Sequence, residues 1–123
     1  SDIRVKKDVR PFTDGLEVIK KLNPISYKLN GKAGLPKDKE GISIIANDVQ
    51  DIVPYCISKY KAKLEQSDTK ETELYDFNSG ALTFVLINAV KEQQNEIASI
   101  TLAMTKQEKE IEELKAEIKK LKN

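Results

Sequence analysis

The residues able to do covalent chemistry in this sequence are few. It contains no His, which excludes Ser-His-Asp and Cys-His arrangements, HExxH zinc sites and any imidazole acid–base step. Cys56 is the single cysteine, so there is no intrachain disulfide and no Cys-rich zinc site. Catalysis, if any, falls to Ser, Thr, Lys, Tyr or carboxylates. Among these, Ser1 and Lys6 in SDIRVKKD are five residues apart, a separation that can let two side chains meet across a turn or bent strand. A Ser hydroxyl is a poor nucleophile until a base takes its proton. A Lys amine can serve once burial or neighbouring cations lower its pKa, and Arg4 and Lys7 are such neighbours. Ser and Lys are common residues, and their spacing alone does not single out the pair.

Other chemistry is poorly represented. No GxGxxG or GxxxxGK[ST] occurs, and the glycine-containing segment 31–41 has the wrong spacing for a phosphate loop. Asp48 and Asp51 share a short helical stretch without EF-hand or paired-carboxylate spacing, and read as a solvated face. Cys56, after Pro54-Tyr55 in an apolar run, reads as a buried inert thiol. Lys59, Lys61 and Lys63 around Tyr60 read as a polar strand face. With 21 basic and 20 acidic residues and a net charge of +1, the chain has no general attraction for nucleic acid or an anionic membrane. The expectation is therefore no cofactor, no metal, no nucleic acid and no membrane. The charged N-terminus lacks the apolar core of a signal peptide. The most apolar stretch, residues 81–90, is interrupted by Thr83 and Asn88 and is too short to span a bilayer. These features suit an intracellular protein of a reducing compartment, or a piece of one.

The elements that must position Ser1 and Lys6 divide near residue 78. The 123 residues are 39% hydrophobic and 33% charged, with a mean hydropathy of -0.50: one domain's worth of core-poor chain. All four prolines and four of the five glycines precede residue 78, and no Gly or Pro follows Gly80. The spacing predicts α+β: a small mixed region over 1–77, then one long helix over 78–123 capped by Asn78 or Ser79. Within 1–77, Thr13 or Asp14 is expected to cap a short helix through Leu16, Val18, Ile19 and Leu22, stopped by Asn23-Pro24. Ile25–Leu29 alternates as a half-buried strand. Asn30-Gly31 opens a polar loop over 31–41. Ile42–Ala46 reads as a buried strand, and Asn47 with Gln50 as a capping box for a helix Asp48–Val53. Cys56–Tyr60 and Glu73–Phe77 read as two strands around a charged hairpin.

The long helix carries a 3.5-residue period. Ile97, Met104, Ile111 and Ile118 fall at a; Ile100, Gln107, Leu114 and Leu121 fall at d. Seven of these eight positions are apolar, the pattern of a left-handed coiled coil over 97–121. Glu110 and Glu117 at g face Lys115 and Lys122 at e of the next heptad on a neighbouring parallel chain, which favours an in-register homo-oligomer. The heptads alone leave dimer and trimer open, since Ile100 and Gln107 at d dilute the dimer preference of Ile at a and Leu at d.

Four blocks in fixed order carry a resemblance over nearly the whole chain: SDIRVKKDV, LEVIKKLNPISYKLN, GISIIANDVQDIVP and LYDFNSGALTFVLINAVKEQQNEI. They resemble the S-D-x-R-x-K opening, L-N-P-V-x-Y-x-x-N segment, G-[FL]-I-A-Q-E-V-Q-x-x-x-P segment and L-L-x-A-[IV]-K-E-L ending of the C-terminal intramolecular chaperone domain, or peptidase S74 domain, of phage tailspikes, tail fibres and neck appendages. Asn47-Asp48 stands where Gln-Glu is usual, and Gln93 where Leu is commoner; both changes are conservative in shape.

The resemblance implies a parallel homotrimer that brings three chains of an upstream fibre or spike into register, lets this client fold, and is then released by self-cleavage before the motif Ser. Carried onto this sequence, Ser1 is the nucleophile and Lys6 the general base of a Ser-Lys dyad. The chain is then the product of a single-turnover serine peptidase, formed in the host cell cytoplasm during phage assembly and released from the mature virion protein. Two alternatives stand beside it. One is a non-catalytic structural trimerisation module. The other is the related cleavage domain of a membrane-bound transcription factor, whose precursor would carry a DNA-binding domain upstream and a transmembrane helix downstream; neither is visible here, and the Lys-Glu-rich ending fits a phage C-terminus better.

Overall fold

A computed structural model describes residues 1–123. Two units are resolved, Ser1–Ala89 and Val90–Asn123, and a single helix runs from the first into the second. The first unit is α+β, built on two antiparallel hairpins. β1 (Ile25–Asn30) pairs with β2 (Lys37–Ser43), and β3 (Ile57–Ala62) with β4 (Thr72–Phe77). The helices are α1 (Leu16–Ile19), α2 (Ala46–Val49) and α3 (Leu82–Lys122), with 3-10 turns at Ile3–Val5, Lys32–Gly34 and Pro54–Cys56.

The core of this unit is small. Val49, Val53 and Cys56 form its centre. Val18, Leu22, Ile44, Ile52, Ile57, Phe77, Ala81 and Leu82 pack around them. Val85 and Ala89 of α3 and Ala46 of α2 are also buried. Pro54 opens the turn that carries Cys56 inward; its fixed φ and missing N–H suit a first helical position. The Asn78 N–H donates to the Cys56 carbonyl at 2.7 Å, tying the end of β4 to the start of β3. Cys56 is buried as expected, and desolvation pushes its thiol pKa up.

Several sequence expectations need correction. The loop expected over 31–41 ends early, because Lys37–Ser43 is a strand. β2 is held by pairing with β1, and Gly41 lies directly beneath Tyr27, where a Cβ would overlap the ring. The expected buried strand Ile42–Ala46 does not form: Ile42 is 82% exposed, and the apolar run is divided between the end of β2 and the start of α2. The Asn47–Gln50 capping box is also absent. α2 starts two residues earlier than expected, at Ala46, and ends at Val49 rather than Val53, and Gln50 Nε2 donates instead to the Asn47 carbonyl at 3.4 Å. Neither Thr13 nor Asp14 caps α1, whose N-cap position is Gly15; the Asp14 carboxylate is engaged by Tyr55.

α3 starts at Leu82, four residues later than the helix expected from residue 78, and Asn78 and Ser79 shape the turn ahead of it rather than capping it. Asn78 Oδ1 accepts from the Gly80 N–H at 2.8 Å, and the Ser79 carbonyl accepts from the Leu82 N–H at 3.0 Å. The second unit consists of the remainder of this helix.

Candidate functional site

The segment from Ser1 to Lys6 folds as one 3-10 turn with the two candidate catalytic residues on either side. Asp2 builds it. Its Oδ1 accepts from the Arg4 N–H at 2.8 Å, capping the turn, while its backbone carbonyl accepts from Val5 N–H at 3.3 Å. The Arg4 guanidinium closes on the same carboxylate, with Nε at 3.1 and 3.2 Å from its two oxygens and Nη2 at 2.7 Å. This forked contact holds the Asp2 carboxyl below its ordinary range and raises Arg4. The Lys6 N–H donates to the Ile3 carbonyl at 3.1 Å, and Lys6 itself is extended. Asp8, with φ +55, then bends the chain away.

Ser1 and Lys6 are both exposed, and no hydrogen bond joins them in the single chain. Of the two cations expected beside Lys6, Arg4 and Lys7, the charge of Arg4 is engaged by Asp2. The Asp2–Arg4 clasp was not visible as such in the sequence. Its signal is the i, i+2 spacing of an acid and an Arg around a residue able to start a turn.

Further along, the irregular segment 9–15, a strap that follows this turn, is fastened to the rest of the unit. Asn88 Nδ2 on α3 donates to two carbonyls of the strap, Phe12 at 2.8 Å and Asp14 at 2.9 Å. The Tyr55 hydroxyl donates to Asp14 Oδ2 at 2.7 Å. The Phe12 ring meets Tyr55 edge to face, with centroids 5.2 Å apart. Desolvation, then the hydrogen bond and charge of Asp14, push the Tyr55 pKa well above its ordinary 10.0. In the sequence Asn88 showed only as a polar interruption of residues 81–90.

The seam residues Ile97, Ile100, Met104, Gln107, Ile111, Leu114, Ile118 and Leu121 all lie on α3 and are exposed. Their apolar members are 50–87% exposed, a continuous stripe without a partner in the single chain. No group of His, Cys, Asp and Glu suited to holding a metal is present, and no helix is long and apolar enough to cross a membrane.

Residues 1–58 match the Peptidase S74 family, chaperone of endosialidase, a family of the autoproteolytic serine-peptidase kind. The match takes in the capped turn, α1, β1, β2, α2 and the turn that carries Tyr55. This match and the likeness to phage fibre proteins support a chaperone domain of the phage-fibre type. Over 91 residues, 74% of its length, the chain is 30% identical to the long tail fiber protein Gp37 of Enterobacteria phage K3, and equally to that of phage T2. The chain spans only 7% and 6% of the length of those two relatives.

Proposed function

We propose that the chain is a self-cleaving trimerisation chaperone for an upstream phage fibre or spike. The observation that carries this reading is the Asp2-capped turn between Ser1 and Lys6, at the start of the segment that matches the chaperone family. Fibres wound from three chains have high contact order and must nucleate between molecules. A parallel coiled coil through Ile97–Leu121 pins three chains at one end, so that later pairing becomes effectively intramolecular. Cutting the clamp away leaves a fibre that cannot return through its nucleus and is kinetically stable.

In a precursor, Ser1 Oγ attacks the carbonyl carbon of the preceding residue while Lys6 Nζ takes the hydroxyl proton. The C–N bond then breaks, and the nitrogen leaves as the α-amine of Ser1 after receiving a proton. An ester to Oγ remains. Water adds to it, releasing the upstream carboxylate and restoring the hydroxyl. Exclusion of water from Lys6 on assembly equips its amine as the base. Its partners are two further copies of the chain and the upstream client, and the setting is the host cytoplasm.

The open placement of Ser1 and Lys6 in the single chain favours one second reading, a trimerisation module without peptidase activity. The test is a gel of full-length precursors after expression. Ser1→Ala and Lys6→Arg should both remain uncut yet assembled, because a guanidinium does not deprotonate in this pH range. Efficient cutting of Lys6→Arg would remove Lys6 from the mechanism. A wild-type precursor that stays whole would support the second reading.

A further inference from the structure

We propose that Asn88 is a positioning residue for cleavage: its amide ties the strap bearing Ser1 to α3, so that the placement of the scissile bond follows the register of that helix. The proposal rests on the reading of Ser1 as the nucleophile.

The first turns of α3 present two different stripes. Val85 and Ala89, four residues apart, are buried in the unit's own core, and Asn88 lies beside them. The heptad seam continued back from Ile97 falls on Val90 and Leu86, on a separate stripe, and both are exposed. Neighbouring copies would therefore meet the seam stripe, while the inner stripe holds the strap. Asn88 is well suited to that second task. One –NH2 group serves two carbonyls, at Phe12 and Asp14, two residues apart on the strap. Two bonds from one planar amide fix the strap's position along the helix as well as its distance from it. Tyr55 holds Asp14 from the other side, and Gly15, directly after it, is buried.

This linkage matters to the reaction because attack requires the hydroxyl and the carbonyl in near-contact, and a misplacement of about 1 Å can cost about a hundredfold in rate. Residues 1–10 are exposed, so their placement depends on where the strap is fastened. Assembly acts on α3, and Asn88 carries the consequence to the strap.

The experiment compares full-length precursors, following single-turnover cleavage in time and, on each variant, the assembled mass and backbone hydrogen exchange over residues 9–15. Asn88→Asp keeps the shape but sets a carboxylate against two carbonyls. It should remain trimeric, be cut about 100-fold more slowly, and lose protection over 9–15. The pH at half-maximal rate should not move, because geometry rather than the base is altered. Asn88→Gln keeps the amide and should recover to within about tenfold of wild type. Trimeric Asn88→Asp cutting at the wild-type rate would overturn the proposal. So would Asn88→Gln and Asn88→Asp being equally slow, or unchanged protection over 9–15. A Ser1→Ala precursor run alongside separates the two levels. If it is cut like wild type, the nucleophile assignment fails, while the exchange measurement still decides whether Asn88 holds the strap.

Discussion

Asp2 and Arg4 neutralise each other inside the turn, and Tyr55 and Asp14 do the opposite work further along, where a neutral phenol is held against a carboxylate. These two contacts make different demands on pH. The Tyr55 pKa is raised in the fold, by desolvation first and by Asp14 second, so the folded state favours the protonated phenol. Its contribution is fully present below the unfolded value near 10.0 and is lost as pH rises beyond it. Wild-type chain should therefore lose stability relative to Tyr55→Phe when melting is followed from about pH 9 to pH 11, around the ordinary Tyr range. Parallel curves over that window would show that the contact does not stabilise the docked strap. At this scale the sequence was partly legible. The absence of His and the single buried Cys could be read directly. The paired roles of Asp2 with Arg4, and of Asn88 with two backbone carbonyls, could not, since both depend on how the chain folds back on itself.

The elements show the same division. β1 was readable from alternating apolar and polar residues, which need only local geometry, and β3 and β4 from the charged hairpin between them. β2 was not: Lys37, Asp38, Lys39 and Glu40 give no period, and the strand exists through pairing with β1 and the passage of Gly41 under Tyr27. α1 and α2 were placed within a few residues, but their expected caps failed because Asp14 has a tertiary partner and α2 starts ahead of Asn47. The body of α3 was legible, since nothing in 43 residues after Gly80 breaks a helix, but its start was not: it begins at Leu82 rather than at residue 78. Its first turns also belong to the core of the first unit. Cutting the chain after Asn78 removes Ala81 and Leu82 from the core cluster together with buried Val85 and Ala89. Full burial of Val85 alone is worth about 1.5–3 kcal/mol, a large share of the stability of a domain this small. The truncated chain should melt broadly, without cooperativity. A sharp two-state transition by circular dichroism would contradict this.

For the molecule as a whole, surface is the decisive quantity. The single chain exposes 10541 Å², against about 6,700 Å² expected of a folded monomer of its mass. Part of the excess is the apolar stripe from Ile97 to Leu121, and more lies on Phe84, Leu86, Ile87 and Val90. Contiguous apolar surface on this scale marks an interaction site, and a stripe with a 3.5 period is suited to other copies of the same helix. Ile111→Asp with Ile118→Asp places two carboxylates per chain in that seam, at a cost of several kcal/mol each. The doubly substituted chain should be monomeric, and its full-length precursor should remain uncut although Ser1 and Lys6 are intact. Cutting of that monomeric precursor would separate cleavage from assembly. The most direct test of the central claim is the mass of the unmodified 123-residue chain by sedimentation equilibrium at micromolar concentration. The account predicts three times 13.9 kDa, and a mass of 13.9 kDa would contradict it.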